Sequence, residues 1–290
     1  EAAPHHPVRL VHRSGHACVL NSVALVRVGI SMETPEPPGG TIDRHLDTGE
    51  PSGLLLEMDG FLELEDRWIL SRLQHATEDV TQGLERFRLH EVADRLYHFV
   101  WGDFADWYLE LIKPRMQGES GEDSRQAARA TLVLVLDRVC RLLHPLTPFV
   151  TSALWDRLPW AGESERPEAL MVAPWPEVDE ALIDTPAEGR VGDLQELITQ
   201  VRSLRREYAV PEGARVTVKL EAVSAEFREV VEGQQASVQR LARVDACELN
   251  VGANGVGAHA VLKNGVEVFI PLEGVIDITR ELERLQTEID

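Results

Sequence analysis

The 290-residue chain carries 29 basic and 49 acidic residues, a formal charge of −20, and 43% of its residues are hydrophobic. That length accommodates one large or two modest domains, and the apolar fraction suffices for packed cores. There is no run of about 18 apolar residues, which argues against a spanning helix. Cys18, Cys140 and Cys247 are odd in number and far apart, which argues against a disulfide framework or a structural zinc site. The acidic excess counts against nucleic-acid binding unless positive charge is gathered locally. It is uneven: residues 62–116 hold seven basic against eleven acidic side chains, and residues 117–200 hold seven against fifteen.

Residues 1–57 read as a poorly ordered or atypical N-terminal segment. PEPPGG and TGEPSG mark loops, and only VLNSVALVRVGI suggests a short strand or helix. His5, His6, His12 and His16 are irregularly spaced, so no metal site is expected. No charged region leads into an apolar stretch and a small-residue cleavage site. The expected location is therefore cytoplasmic.

From Leu62 the periodicity is helical. Ile69, Leu73, Ala76, Val80, Leu84 and Phe87 form one face; Val92, Leu96, Phe99, Phe104, Trp107, Tyr108 and Leu111 form a second, which Pro114 should end. Trp107 and Leu111 are expected inward, and Lys113 and Arg115 at an exposed helix end. After the polar loop QGESGEDS, Ala128, Leu132, Val135, Val139 and Leu142 mark a third helix, which contains Cys140 as a core residue. Thr147-Pro148 supplies an N-cap and a first-turn proline for a fourth helix, FVTSALWDRL. Residues 62–158 are thus expected to form an antiparallel helical bundle. Residues 159–186, rich in proline and tryptophan, read as an extended strap.

Residues 187–275 change style. A helix at about 187–208 precedes the alternating strand ARVTVKLEA, and a helix at about 224–242 precedes ACELNV. VLKNGVEVFIPL is a hairpin with an Asn264-Gly265 turn. The expected class is mainly α, with the bundle followed by a small α+β domain. Over residues 276–290, Ile278, Leu282, Leu285 and Ile289 begin an a/d coiled-coil seam.

The segments DRWILSRL, FADWYLELIKPR, LLHPLTPFVTSALWDRLP and MVAPWPEVDE resemble the anticodon-binding region of class I aminoacyl-tRNA synthetases. VRSLRREYAVPEGARV and VFIPLEGVIDITRELERLQTEI are similar to the small domain and C-terminal coiled-coil start of the valyl-tRNA synthetase family. The resemblance covers about residues 62–290. It departs at Ser152, where an acidic residue is usual. The class I signatures HIGH and KMSKS are absent: His12-Arg13-Ser14-Gly15-His16 has one residue too many, and Lys113, Lys219 and Lys263 stand in other contexts.

The resemblance implies a chain that keeps tRNA docking without aminoacylation or editing sites. The implied partner is the tRNA for valine, met through its anticodon stem-loop, and the chain is expected to be monomeric with no membrane contact. No cofactor is expected in this chain; the whole enzyme would use ATP and magnesium to join valine to its tRNA. Aromatic side chains stack on unpaired bases and basic ones hold phosphates. Trp101, Phe104, Trp107, Tyr108, Lys113 and Arg115 form one aromatic and basic cluster. The candidate tRNA-binding residues are Arg67, Arg72, Phe104, Lys113, Arg115, Arg202, Arg205 and Arg206, and no catalytic or metal residues are expected. Two other readings stand beside this one: an acidic helical module that binds a protein and no RNA, and the equivalent region of an isoleucyl-type synthetase.

Overall fold

The computed structural model describes residues 9–11, 17–20, 22, 25, 30–34, 41–45, 48–56, 62–159, 167–252 and 255–273. The class is the expected one, mainly α, with helices followed by a small α+β region. Contacts gather the chain into two compact units: residues 1–89 with 115–183, and residues 90–114 with 184–290.

The first unit opens with a correction. Where the sequence suggested poor order and at most one short element, strands β1 (Arg9–Val11), β2 (Ala17–Leu20), β3 (Thr41–Arg44) and β4 (Pro51–Leu56) form an antiparallel sheet in the order β1-β2-β4-β3. Cys18 pairs with Leu55, and Ile42 pairs with Leu55 from the other side. Within TGEPSG, Gly49 and Pro51 punctuate the β3–β4 hairpin, while PEPPGG lies outside the described residues. His45 N–H donates to Glu50 O at 2.9 Å, and Gly49 takes a positive φ of 70° to close the turn before Pro51 enters the strand. The histidines weighed for metal, His5, His6, His12 and His16, lie outside the described residues.

Helix α1 (Leu64–Glu85) buries Ile69, Leu73, Ala76 and Val80 as the periodicity predicts. It stops two residues before Phe87, the last residue of the expected face. Phe87 has a φ of 57° and is 87% exposed, so it leaves the core stripe. Helix α3 (Glu122–Leu143) packs against α1 and against α4 (Pro148–Trp155). The α3–α4 corner is built on Trp155, whose indole N–H donates to Asp137 Oδ1 at 2.7 Å while Arg141 Nε holds Oδ2 of the same carboxylate at 2.9 Å. Cys140 lies in that core with Trp155 and Leu170, and burial pushes its thiol up to about 11. Pro148 starts α4 as expected, but Thr147 does not cap it through its side chain: its hydroxyl donates to Leu143 O at 3.2 Å. The strap residues run extended between single helical turns at Leu170–Val172 and Glu180–Leu182. They are tied down by Trp175 Nε1 to Thr81 Oγ1 at 2.9 Å and by Asp179 N to Gln74 Oε1 at 2.9 Å.

The second unit contains α2 (Leu89–Tyr97), which continues into an 11-residue π-helical stretch, His98–Tyr108. Hydrogen bonds there run from residue i+5 back to i, as from Leu109 N to Phe104 O, so the inward face advances by five. Phe99 and Phe104 are buried at that spacing, followed by Tyr108. Trp107, expected inward from α-helical counting, is half-buried instead.

Helix α5 (Thr185–Glu207) starts with the Asp184 carboxylate accepting from Ala187 N at 2.9 Å, and it buries Val191, Leu194, Ile198 and Val201. The sheet has the order β6-β5-β8-β7, built from β5 (Val216–Glu221), β6 (Val244–Leu249), β7 (Gly257–Val261) and β8 (Glu267–Pro271). Strands β5 and β6 are parallel. The crossover between them, expected as one helix, is two: α6 (Ala225–Gly233) and α7 (Gln235–Ala242). The Asn264-Gly265 turn joins β7 to β8 as predicted, with Gly265 at a φ of 86°. Gly257 is obligatory on its edge, because an added Cβ would stand 2.2 Å from the Phe269 ring. Residues 276–290, expected to begin a coiled coil, lie outside the described residues.

Candidate nucleic-acid interface

The eight residues singled out in the sequence separate into three environments. Two of them are structural, contrary to expectation. Phe104 is buried and stacks on Tyr108 with ring centroids 6.0 Å apart, so no base can reach it. Arg115 is 2% exposed. Its Nη1 lies 2.9 Å from Glu65 Oε1 and 2.7 Å from Asp66 Oδ2, and its Nε lies 3.3 Å from Glu63 Oε1. Its Nε and Nη2 also donate to Ser124 Oγ and O at 2.8 and 3.0 Å. A guanidinium with a fixed donor fork suits such a buried junction. Burial pushes the Glu65 carboxyl up to about 7, with Arg115 pulling it down and Asp66 pushing it further up.

Three more are partly engaged. Arg67 and Arg72 are half-buried along α1. Lys113 is ion-paired with Glu110, whose second oxygen accepts from Arg240 Nη1 at 2.7 Å. The hydrogen bond from Lys113, ahead of the contribution of Arg240, holds the Glu110 carboxyl below the usual range. The Lys113 charge is therefore largely answered within the protein.

Arg202, Arg205 and Arg206 are brought together, and Arg243 joins them. They line an open concavity of about 720 Å³ at the C-terminal ends of α5 and α7, with Glu212 the one carboxylate on its wall among the described residues. Arg205 is buried and donates to the carbonyls of Arg243, Pro211 and Ala214 at 3.1, 3.2 and 2.7 Å. Arg202 Nε donates to Leu241 O at 2.8 Å, and its guanidinium lies 5.8 Å from the Trp107 ring centroid, a cation–π geometry. Burial and then the positive charge of Arg243 depress the pKa of Arg205. Arg206 is exposed.

A second exposed surface was only half seen in the sequence. Tyr97 and Trp101 are 61% and 57% exposed, with ring centroids 6.5 Å apart, and His98 meets Tyr97 edge-on at 5.8 Å. Trp101 stood in the aromatic cluster; Tyr97 carried one local signal, its four-residue spacing from Trp101 on a helix face, and Arg243 carried none. Arg243 enters the concavity only through the left-handed backbone that ends α7, at a φ of 55°. Among the described residues there is no cluster of metal-ligating side chains, and no helix is long and apolar enough to cross a membrane.

Comparison with known proteins places these surfaces in a family. A model described as the anticodon-binding domain of tRNA ligase matches residues 66–220, more than half of the chain. The valine--tRNA ligase of Bacillus subtilis (strain 168) is 36% identical over 236 residues, 81% of this chain and 26% of that protein. That of Thermosynechococcus vestitus is 38% identical over 233 residues, 79% of this chain and 25% of that protein. That of Thermotoga maritima is 36% identical over 225 residues, 78% of this chain and 24% of that protein. The chain thus spans about a quarter of the length of these curated relatives. It belongs to the anticodon-binding domain family of tRNA ligases.

Proposed function

We propose that this chain is the tRNA-docking region of a valine--tRNA ligase and receives the anticodon stem-loop of the tRNA for valine. The observation that carries the reading is the family match over residues 66–220, which takes in every helix from α1 to α5. The valine assignment rests on the relatives, each a valine--tRNA ligase. The exposed Tyr97 and Trp101 rings offer stacking faces for unpaired loop bases, each worth about 1–3 kcal/mol. ATP, magnesium and the joining of valine to tRNA belong to the whole enzyme in this reading, with the chain acting as a monomer.

The test is a titration of the tRNA for valine, with the isoleucine tRNA as competitor, on the wild-type chain and on Tyr97→Ala and Trp101→Ala. Both variants should keep the wild-type melt, because the rings are largely exposed. Each should weaken binding roughly 5- to 150-fold, the range that one lost stacking contact implies. Equal competition by the isoleucine tRNA would move the reading to the isoleucyl-type region. The charge of −20 favours a rival, an acidic module for a protein partner. That rival predicts no salt-sensitive RNA binding at all.

A further inference from the structure

We propose that the arginine concavity at the ends of α5 and α7 is a sequence-independent binding site for the RNA sugar-phosphate backbone, with Arg206 and Arg243 making the phosphate contacts and Arg202 and Arg205 setting the wall. The inference rests on the tRNA-docking reading and adds a second kind of contact to it. Four arginines line this one open hollow in a chain whose formal charge is −20. Glu212 answers Arg243 in part: its carbonyl accepts from Arg243 Nη1 at 2.7 Å, while its carboxylate is 3.8 Å from the same nitrogen and its side chain is 95% exposed, which leaves Arg243 Nη2 and Nε for phosphate. Burial first, and then the charge of Arg243, depress the pKa of Arg205.

The four side chains divide by role. Arg205 and Arg202 spend donors on main-chain carbonyls at the end of α7 and in the turn after α5, which offsets part of the negative charge at the α7 end. Arg202 keeps both of its Nη groups clear of that carbonyl bond, over Trp107. Arg206 is exposed, and among the described residues its guanidinium makes no ion pair or side-chain hydrogen bond. Arg243 sits in the left-handed region, as does Ala209 on the same wall. Glycine is the usual residue where a helix ends this way. An arginine there keeps a charge at a backbone position that disfavours it, and strain of that kind gathers at binding sites.

The hollow is open and about 720 Å³, wider than one phosphate group needs, so an extended polyanion fits it better than a free ion. Guanidinium groups recognise phosphate through paired N–H donors, and contacts to the sugar-phosphate backbone carry no base information. The contact should therefore position the RNA without selecting it.

The experiment uses the full chain and three variants, Arg206→Gln, Arg243→Gly and Trp101→Ala, titrated with the tRNA for valine and with an unrelated tRNA at several salt concentrations. Arg206→Gln and Arg243→Gly should each lower the slope of log affinity against log salt by about 0.7–0.9, one phosphate contact. They should weaken both RNAs by the same factor, leaving the ratio between them unchanged, while Trp101→Ala should change that ratio. Arg243→Gly should melt close to wild type, because relief of the left-handed backbone offsets the lost Nη1 bond to Glu212 O and the carbonyl that Arg205 uses is kept. Wild-type slope in both arginine variants would overturn the proposal while leaving tRNA docking intact. A changed ratio between the RNAs in those variants would overturn it in favour of base reading. Polyglutamate competing as well as RNA would overturn it in favour of an acidic protein partner. Failure of the wild-type chain to bind either RNA would overturn the docking reading and this one with it.

Discussion

Replacing Arg115 with alanine should cripple the fold and spare any RNA contact. The side chain is 2% exposed and is the cation facing Glu63, Glu65 and Asp66, two of which are themselves buried. Removing one partner from a buried ionic junction costs about 3–5 kcal/mol, because the remaining charges stay desolvated and unpaired. The loss should depend on pH. The Glu65 carboxyl already titrates near 7, so acidification protonates it and relieves part of the repulsion that the variant leaves behind. The expected penalty is therefore largest at pH 8 and smaller at pH 5.5. Arg115→Lys should recover only part of it, since a lysine ammonium lacks the fork that reaches both carboxylates and Ser124. The assay is urea unfolding of wild type, Arg115→Ala and Arg115→Lys at both pH values, with unfolding followed by circular dichroism. An Arg115→Ala chain with wild-type stability and weakened tRNA binding would refute the reasoning and return Arg115 to the RNA surface.

The other predictions concern single positions. Glu65→Gln should stabilise the chain at pH 8 by up to about 3 kcal/mol, the worth of a shift from 4.5 to about 7. The wild-type Glu65 contribution is fully present below pH 4.5 and is lost as pH rises through 7, so the two stability curves should converge on acidification. Tyr108→Ala should cost roughly 3–5 kcal/mol as a buried aromatic, and Trp107→Ala distinctly less, as chemical denaturation would report. The chain by itself should show no valine-dependent pyrophosphate exchange above a no-enzyme control, since it carries neither HIGH nor KMSKS.

What the sequence made legible follows the range of the physics involved. Helices α1, α3 and α5 and the Asn264-Gly265 hairpin are local patterns, and they form where periodicity and turn chemistry place them. The π-helical winding is not local in that sense: the spacing of Phe99, Phe104 and Tyr108 fits two windings, and packing decides between them. Arg115 misled because its partners lie fifty residues upstream, in Glu63–Asp66, where the acids read as helix-start residues rather than as a buried counter-charge. Proline and glycine in the first fifty-seven residues looked like breakers, although Gly49 turns the β3–β4 hairpin and Pro51 begins β4. At the candidate interface, Arg202 and Arg206 were visible as a basic run on one helix. Arg243 was not, because only the left-handed end of α7 turns it toward them.

The central claim is that this chain docks an anticodon stem-loop, and the most direct measurement is titration with a short RNA hairpin carrying the valine anticodon. The account predicts saturable binding that weakens steeply with salt and falls when the anticodon bases are replaced in an otherwise identical stem. Equal affinity for the altered hairpin, or no binding at low salt, would contradict it.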